Sequence, residues 1–382
     1  MNRRRLLQAL AGTSALLAAP ACTTLPPAPG AAFRTPRGTP LRPVRATPDR
    51  VIRTIAGLRP FRRTGFRLET ERFGDKHVVH NYGHGGGGWS LSWGCSQLAL
   101  EEVARIEGGT GRRDVAVLGC GILGLTSAQL LSRAGWRVTI YAKALPPHTT
   151  SNIAGAQWTP VSVHEAEAVT PAYAARFARA SRIAYRRFQE QVGSRYGVRW
   201  IDNYFQSPGP EVGAPNDIVR ELPDLFPQQR LLGPGEHPFV HPWMWNHATM
   251  LMEPNIYLPE LERDVRAGGV RIEVREFSDR AAVLALDEPV IVNCTGLGAG
   301  ALFDDPVIMP VRGQLVFLRP QPEVDYIVIQ SGRYMFPRSD GILLGGSFER
   351  GERDPTPDRA TTDSILADHA AFFDAMRDPW VS

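Results

Sequence analysis

The stretch DVAVLGCGILG, residues 114–124, decides the fold of this chain. Its first five residues predict a short buried strand, and its last six form a Gly-x-Gly-x-x-Gly motif. A helix is predicted over residues 125–134 and a second strand over residues 137–141. This order within about 30 residues is typical of a dinucleotide-binding unit, in which glycines let a pyrophosphate approach a helix N-terminus. The sequence therefore predicts an α/β fold in which the cofactor-binding candidates are Gly119, Gly121, Ile122 and Gly124.

The end of the second predicted strand does not decide which dinucleotide binds. An NAD-binding unit carries an acidic residue about 20 residues after the glycines, where it holds the ribose hydroxyls. Ala142 and Lys143 stand at that place here. Lys143 is compatible with the 2′-phosphate of NADP, although a solvated lysine at a strand end is the simpler interpretation.

The loop after the second strand is more specific. It reads PPHTTSNIAGAQW, residues 146–158, with hydroxyl side chains followed by small residues. Small residues would let the backbone run close to a flat ligand. The candidates that this loop adds to the cofactor-binding set are Thr149, Thr150, Ser151, Gly155, Ala156 and Gln157.

Residues 119–160 resemble the N-terminal half of the D-amino-acid oxidase family, which binds FAD. The segments VIVNCTG (290–296), RGQ (312–314), YMFP (334–337) and LGGSF (344–348) resemble later family motifs and occur in the same order. The resemblance implies FAD as the cofactor, with a mixed-sheet substrate domain capping a Rossmann-like FAD-binding domain. It also places Lys143, Phe277, Thr295 and Gly296 at the cofactor.

Two motifs that the family carries at its C-terminus stand here ahead of the dinucleotide unit. They are GLRPFR, residues 57–62, and NYGHGGGGWSLSWG, residues 81–94. The chain therefore looks like a circular permutation of the family. A helix over 97–107 would be the family's last helix, residues 108–111 a flexible link, and the new ends would fall after Trp380 and before Val51. Compact folds tolerate such rearrangement because their termini often lie close together.

These assignments divide the chain into seven segments. They are an export signal (1–30), a Pro/Arg-rich tether (31–49), the permuted segment (50–107), the Rossmann FAD-binding segment (112–160), a mainly substrate-domain segment (161–268), a return to the FAD-binding domain (269–305), and substrate-domain strands with a closing helix (306–382).

The resemblance implies roles for particular residues. Arg59 would bind the substrate carboxylate as a two-pronged cation, which a lysine cannot match. Tyr334 would share that carboxylate, and the carbonyl of Gly86 would accept the amine. Thr159 would contact the substrate. The remaining residues placed at the flavin are Gly85, Gly88, Trp89 and Ser90.

The chain departs from the family in three places. Residues 330–333 are short, so the lid and second tyrosine of animal members are missing. Lys143 replaces an acid, so the ribose contact must differ. Gln157 and Thr159 replace residues that shape the substrate pocket, so a side-chain preference cannot be transferred.

The first thirty residues resemble a twin-arginine export signal. Residues 2–8 are basic with paired arginines, residues 9–19 are apolar but too short to span a bilayer, and Ala19-Pro20-Ala21 resembles a cleavage site. A plain secretory signal is the alternative. Cys22 follows directly and would allow attachment of a lipid. We therefore expect an exported protein, periplasmic or attached to the envelope.

Composition narrows the remaining functions. The net charge of +4 comes partly from the leader, and no basic stripe interleaved with aromatics indicates nucleic-acid binding. The cysteines are Cys22, Cys95, Cys120 and Cys294, without Cys-x-x-Cys spacing, so neither a metal site nor a disulfide framework is indicated.

The predicted function is that of an exported FAD-dependent oxidase converting D-amino acids to imino acids, with O2 reduced to H2O2. One alternative is a glycine, sarcosine or other secondary-amine oxidase or dehydrogenase on the same fold. Another is a non-catalytic envelope protein that retains flavin. The sequence leaves the side-chain preference, the electron acceptor and the oligomeric state open.

Overall fold

The computed structural model describes residues 33–110, 113–210 and 217–377. The predicted export signal, Cys22 and the first two residues of the predicted tether lie outside these residues. No helix among those described is long and apolar enough to cross a membrane.

The elements are numbered in chain order. The strands are β1 Val51–Arg62, β2 Arg67–Phe73, β3 Lys76–Tyr82, β4 Asp114–Leu118, β5 Arg137–Ala142, β6 Val198–Gln206, β7 Arg230–Leu232, β8 Met244–Met252, β9 Arg271–Val274, β10 Val290–Asn293, β11 Ile308–Leu318, β12 Ile327–Gln330, β13 Arg333–Arg338, β14 Gly341–Gly345 and β15 Glu349–Arg350. The helices are α1 Gly88–Thr110, α2 Ile122–Arg133, α3 Thr150–Ile153, α4 Pro171–Gln189, α5 Asp217–Glu221, α6 Pro254–Ala267, α7 Arg280–Leu284, α8 Gly298–Leu302 and α9 Arg359–Asp374.

The smaller sheet holds the dinucleotide unit. Within the described residues its order is β2-β3-β10-β4-β5-β9, parallel from β3 to β9 with β2 antiparallel at one edge. Strand β4 has the predicted bounds, whereas α2 begins at Ile122, three residues earlier than predicted. The earlier start is possible because residue 124 is a glycine: a Cβ there would lie 2.0 Å from the Gly119 carbonyl oxygen. The predicted α/β fold is confirmed.

The larger sheet runs β1-β11-β14-β13-β12-β6-β8-β7, and β15 pairs with β11. Strand β1 is antiparallel to β11, with Gly57 opposite Gly313 and Arg59 opposite Val311. One face of this sheet carries an apolar core that includes Ile201, Leu251, Leu315 and Leu343. The other face packs on α9 and on residues that precede β1.

A layer of helices joins the two sheets. Helix α1 packs on α2 and α4, and α2 packs on α6. The segment predicted as mainly substrate domain (161–268) is therefore divided: β6, β7 and β8 belong to the larger sheet, while α4 and α6 pack beside the dinucleotide unit. The apolar faces of α4 and α6 pack against α1 and α2 in a core cluster that also contains Val198, Met250 and Met252 of the larger sheet.

Helix α1 is longer than predicted. The sequence predicted 97–107 followed by a flexible link at 108–111, but the helix begins at Gly88 and continues through Thr110. Its first turns are fixed by packing, since the indole N–H of Trp93 donates to the Tyr257 hydroxyl at 2.7 Å and both residues are buried. Tertiary contacts thus outweigh the low helix propensity of the glycines.

The predicted tether is wrong over its described part, residues 33–49. Leu41, Val44 and Ala46 are buried in the same cluster as α9. The Tyr326 hydroxyl donates to the Arg42 carbonyl oxygen at 2.7 Å and lies 3.8 Å from the Met376 sulfur. We call residues 33–49 the N-terminal strap. Spaced apolar residues bind it to the sheet despite its Pro- and Arg-rich composition.

Candidate active site

The glycine loop leaves room for a ligand at the N-terminus of α2. Gly119 has φ +101°, and a Cβ there would lie 2.7 Å from the Cys294 carbonyl oxygen. A Cβ on Gly121 would lie 2.9 Å from the Ser151 hydroxyl, which also accepts from the Ile122 N–H at 2.9 Å. The predicted loop residues therefore converge with Ser151 at the free N–H groups of this helix.

The 149–159 segment crosses from the dinucleotide loop to the larger sheet. Thr149 caps α3 through a reciprocal capping box with Asn152. Gly155 leaves space for the Phe336 ring, which a Cβ would approach to 2.3 Å. Gln157 pairs with Leu251 at the edge of β8, and the Gln157 side-chain nitrogen is buried without a partner. The glycine at 155 is thus explained by an aromatic ring of the sheet.

At the far end of the smaller sheet, Phe277 and Tyr141 form an edge-on pair with ring centroids 6.0 Å apart. The Arg275 guanidinium lies 4.8 Å from the Phe277 centroid. Lys143 is largely exposed and pairs with Glu276 at 3.7 Å. This placement favours the solvated-lysine interpretation over a phosphate site. Glu276, two residues after β9, is an acidic residue beside the end of β5 that the sequence pattern did not indicate.

A buried polar chain supports the turn at Thr295 and Gly296. The Thr295 hydroxyl donates to the Asn293 side-chain oxygen at 2.7 Å, and the Asn293 amide lies 3.1 Å from His80 Nδ1. Burial lowers the pKa of His80 to about 4, so its ring is neutral. The other ring nitrogen lies 3.1 Å from the Glu71 carboxylate. These contacts hold the turn beside the Gly119 loop.

Arg59 and Tyr334 project from the same face of the larger sheet. The Arg59 guanidinium lies above Gly313, where a Cβ would come within 2.1 Å of it, and the Tyr334 ring lies above Gly345, where a Cβ would come within 2.0 Å of it. Leu315 is two residues from Gly313 and directly opposite Gly345. Because side chains two apart, or opposite one another, share a face, the two polar groups flank Leu315 on one side of the sheet.

Arg59 is free to bind an anion. Its guanidinium donates to the Ser347 carbonyl oxygen at 3.3 Å and forms no ion pair with any of the described residues. The half-exposed Phe348 ring lies 5.7 Å from it. Tyr334 stacks on Phe336 with centroids 5.0 Å apart. A partly buried guanidinium that shares a sheet face with a phenol hydroxyl is suited to a carboxylate.

The glycine run lies across from this face, at the start of α1. Gly86 is exposed, and its N–H donates to the Ser162 carbonyl oxygen at 2.9 Å. A Cβ on Gly85 would lie 2.3 Å from that same oxygen, and a Cβ on Gly88 would touch His84 and Leu123 at 3.7 Å. Close backbone packing therefore requires glycine at 85, while 86 presents its backbone to solvent.

Three residues predicted at the flavin or substrate have other partners. The Ser90 hydroxyl donates to the Gln157 carbonyl and accepts from the Thr159 N–H at 3.0 Å, and the Thr159 hydroxyl donates to the Trp158 carbonyl. The Trp89 indole donates to the Ser151 carbonyl at 2.9 Å. All three side chains are buried. They tie α1 to the 149–159 segment, a structural role that the sequence did not indicate.

These residues fit a bound FAD. A pyrophosphate requires a glycine cradle at a helix N-terminus, which residues 119–124 supply, and the Gly121 position could not hold a side chain without displacing Ser151. The FAD dependent oxidoreductase (DAO) family model matches residues 114–381. The chain belongs to this family. It is an FAD-dependent oxidoreductase of the D-amino-acid oxidase type.

Relatives agree with this assignment, and a solved structure agrees with the fold. The D-amino-acid oxidase of Streptomyces coelicolor is 32% identical over 264 residues, covering 68% of this chain and 77% of that protein. The D-amino-acid oxidase of Rubrobacter xylanophilus is 30% identical over 276 residues, with the same two coverages. The fold is similar to that of glycine oxidase from Bacillus cereus, with a TM-score of 0.54 and 16% identity over 69% of this chain and 79% of the other.

Proposed function

We propose that this protein oxidises D-amino acids to imino acids, which water then converts to 2-oxo acids and ammonia, with O2 reduced to H2O2. The observation that carries the proposal is that Arg59, which forms no ion pair with the described residues, and Tyr334 lie on the same face of the larger sheet, the face that the 149–159 segment covers. This pair offers a carboxylate site next to the residues that would hold FAD.

The chain's own residues would bind and orient the substrate. Arg59 would hold both carboxylate oxygens, and Tyr334 would donate a further hydrogen bond. The carbonyl of Gly86, an exposed residue, would accept from the amine. Fixing both ends of the amino acid leaves its Cα hydrogen pointing in one direction, so that only one enantiomer presents it productively.

When bound, FAD supplies the acceptor for the hydride equivalent removed from Cα. The residues that would hold it are the Gly119–Gly124 loop, Ser151 and the Thr295–Gly296 turn. His84, which precedes the glycine run, is neutral because burial lowers its pKa to about 3. It therefore adds no positive charge that would repel the substrate amine.

The test is anaerobic bleaching of the purified, yellow protein by a panel of D- and L-amino acids, glycine and sarcosine. We expect D-amino acids to bleach the flavin and, once air is admitted, to yield stoichiometric H2O2. Bleaching by glycine or sarcosine alone would assign the secondary-amine alternative. Reduction without H2O2 on aeration would assign a dehydrogenase, and a flavin bleached by no amine would leave a non-catalytic flavoprotein.

We infer further that the family's order is circularly permuted in this chain. Three features support it. The family match begins at Asp114, downstream of the GLRPFR and glycine-run motifs, and the segment carrying those motifs pairs within both sheets through β1 and β3. In addition, the strap and Met376 meet at Tyr326.

Rearranged chains test this order. Moving residues 50–107 behind Trp380 through linkers of several lengths should give yellow, soluble protein, because the contacts do not depend on where the chain is cut. The matched control moves the same residues behind Gly209, inside the β6–β7 connection. Insoluble or flavin-free protein at every linker length would contradict the inference.

We also propose that the protein is exported, to the periplasm or the envelope, on the basis of the basic and apolar leader. A fusion of residues 1–32 to a reporter that folds before export should reach the periplasm, and changing Arg3, Arg4 and Arg5 to Lys should abolish it if the route is twin-arginine. Cys22→Ala separates lipidation from ordinary cleavage. If Cys22 is lipidated, the change should move the protein from the membrane fraction to the soluble fraction; if the signal is cut by the ordinary peptidase, the change should not alter the fractionation.

A further inference from the structure

The carboxylate site and the amine site belong to different sheets. Arg59 lies on β1 of the larger sheet, whereas Gly86 follows β3 of the smaller one. An amino acid that bridges them requires their spacing to be fixed within a fraction of an ångström. Some contact between the two sheets must therefore set this distance.

Asp305 joins the ends of the two strands. One carboxylate oxygen, Oδ2, accepts from Arg62 Nε at 2.9 Å and from the Tyr82 hydroxyl at 2.8 Å. Arg62 is the last residue of β1 and stands three residues after Arg59. Tyr82 is the last residue of β3 and stands four residues before Gly86. One oxygen atom thus links the last residues of β1 and β3, the strands that lead to the two binding segments.

The Asp305 carboxylate is buried, and the backbone around it leaves room for the Arg62 side chain. Its side chain is 4% exposed and that of Arg62 13%, and Oδ1 accepts from the Val307 N–H at 2.9 Å. Gly83 has φ +84°, and a Cβ there would lie 2.4 Å from the Arg62 side chain, so glycine is required for Arg62 to pass. A backbone bridge between Phe61 and His84 lies alongside.

The donors and the acceptor are in fixed protonation states. Burial raises the pKa of Tyr82 to about 12, so its hydroxyl remains a donor. Burial alone would raise the pKa of Asp305, but the Tyr82 hydrogen bond and the Arg62 charge outweigh it and lower that pKa. Asp305 is therefore an anion with both oxygens satisfied.

We propose that Asp305 is a positioning residue that sets the spacing between Arg59 and the Gly86 carbonyl, and so selects ligands that carry a carboxylate and an amine together. This rests on the proposed roles of Arg59 and Gly86. Propionate, which has a carboxylate but no amine, needs only the Arg59 side of the site. Its affinity should not depend on the spacing.

The test is Asp305→Asn, which keeps the shape of the side chain but removes its charge and one of its two acceptor oxygens. The amide leaves unpaired either the Val307 N–H or, when flipped, both Arg62 Nε and the Tyr82 hydroxyl. We expect kcat/KM for the best D-amino acid to fall about tenfold or more, while the dissociation constant of propionate changes by less than about twofold and flavin content is unchanged. Tyr82→Phe should lower kcat/KM for the D-amino acid about threefold and leave the dissociation constant of propionate unchanged.

Asp264→Asn is the matched control. Asp264 also accepts from an arginine and a tyrosine, Arg195 and Tyr196, but on α6 beside α2. Asp264→Asn should change neither kcat/KM for the D-amino acid nor the dissociation constant of propionate. Equal loss of D-amino-acid oxidation and propionate binding, or no loss of either, would overturn the proposal. If Asp305→Asn does not fold, the selectivity of Tyr82→Phe decides.

Failure of the proposed function would look different. If wild-type protein oxidises glycine or sarcosine and no D-amino acid, the same measurement is made with that substrate, because it too carries an amine and a carboxylate. The positioning role is then tested independently of the enantiomer that is oxidised.

Discussion

The Arg59 guanidinium occupies the space that a side chain at residue 313 would need. A Cβ on Gly313 would lie 2.1 Å from Arg59 Nη2 and 2.3 Å from Cζ. The glycine of β11 therefore determines where the cation of β1 can lie, although more than 250 residues separate them in the chain.

Gly313→Ala should displace the guanidinium without removing it. Because the displaced group is the end of a flexible side chain, we expect a folded, yellow protein whose kcat/KM for a D-amino acid falls about ten- to a hundredfold. Gly209→Ala is the control, since a Cβ there meets nothing within 4 Å. Equal activity of the two variants would show that Arg59 tolerates the shift.

Arg59→Ala should abolish most D-amino-acid oxidation and leave the flavin bound. Loss of a two-pronged partner leaves the substrate carboxylate unpaired in a partly dry site, which costs several kcal/mol and several orders of magnitude in kcat/KM. Arg59→Lys should restore only part of the rate because a point charge lacks the planar fork. Steady-state kinetics and the flavin absorbance check both; near wild-type kinetics in Arg59→Ala would remove this residue from the site.

Tyr334→Phe should have a smaller effect. The change keeps the ring that stacks on Phe336 and covers Gly345. It removes one neutral hydrogen bond, worth about 1 kcal/mol, or five- to tenfold in kcat/KM. A loss as large as that of Arg59→Ala would mean that the hydroxyl does more than share the carboxylate.

Gly121→Val should give colourless protein. A Cβ alone would lie 2.9 Å from the Ser151 hydroxyl, and a branched side chain would also fill the space above the N-terminus of α2. Flavin content is measured by absorbance after gel filtration, with circular dichroism as the check of folding. A folded, fully flavinated variant would contradict this placement of the pyrophosphate.

Stability should fall as the pH drops below about 6.5. Burial lowers the pKa of His80 to about 4, of His84 to about 3 and of His247 to about 4. The unfolded chain then binds more protons than the folded one, so unfolding free energy rises with pH through this window, and each ring contributes up to about 2 kcal/mol between pH 5 and 6.5.

Denaturant unfolding at several pH values measures this dependence. His84→Phe keeps the ring stacked on Phe66 and removes one titrating group. Between pH 6.5 and pH 5, the unfolding free energy of His84→Phe should therefore fall by about 2 kcal/mol less than that of the wild type. An unchanged pH dependence in this variant would show that His84 is not protonated on unfolding.

The sequence predicted those parts of the fold and site that depend on local spacing. The Gly119–Gly124 loop is recognisable because a turn, a close approach and a helix start all lie within a few residues. The placement of Arg59 over Gly313 and of Tyr334 over Gly345 depends on strand register between distant segments. Motif resemblance named the two side chains but could not reveal the glycines that make room for them.

Other errors came from composition. The strap looked like a linker because it is rich in proline and arginine, yet three spaced apolar residues, Leu41, Val44 and Ala46, suffice to bury it. The sequence predicted the helix only from residue 97, yet Trp89 and Trp93 fix the first turns of α1 from Gly88. In both cases long-range burial outweighed local propensity.

The strap limits how far this enzyme could stand from a membrane. If Cys22 carries a lipid, only ten residues separate it from Phe33, which packs on the cluster that holds the strap and α9. A fully extended segment of that length spans at most about 40 Å. If the strap were not packed on the sheet, the chain from Cys22 to Val51 could extend to about 100 Å. A lipidated form would thus oxidise its substrates close to the membrane surface, within roughly its own diameter.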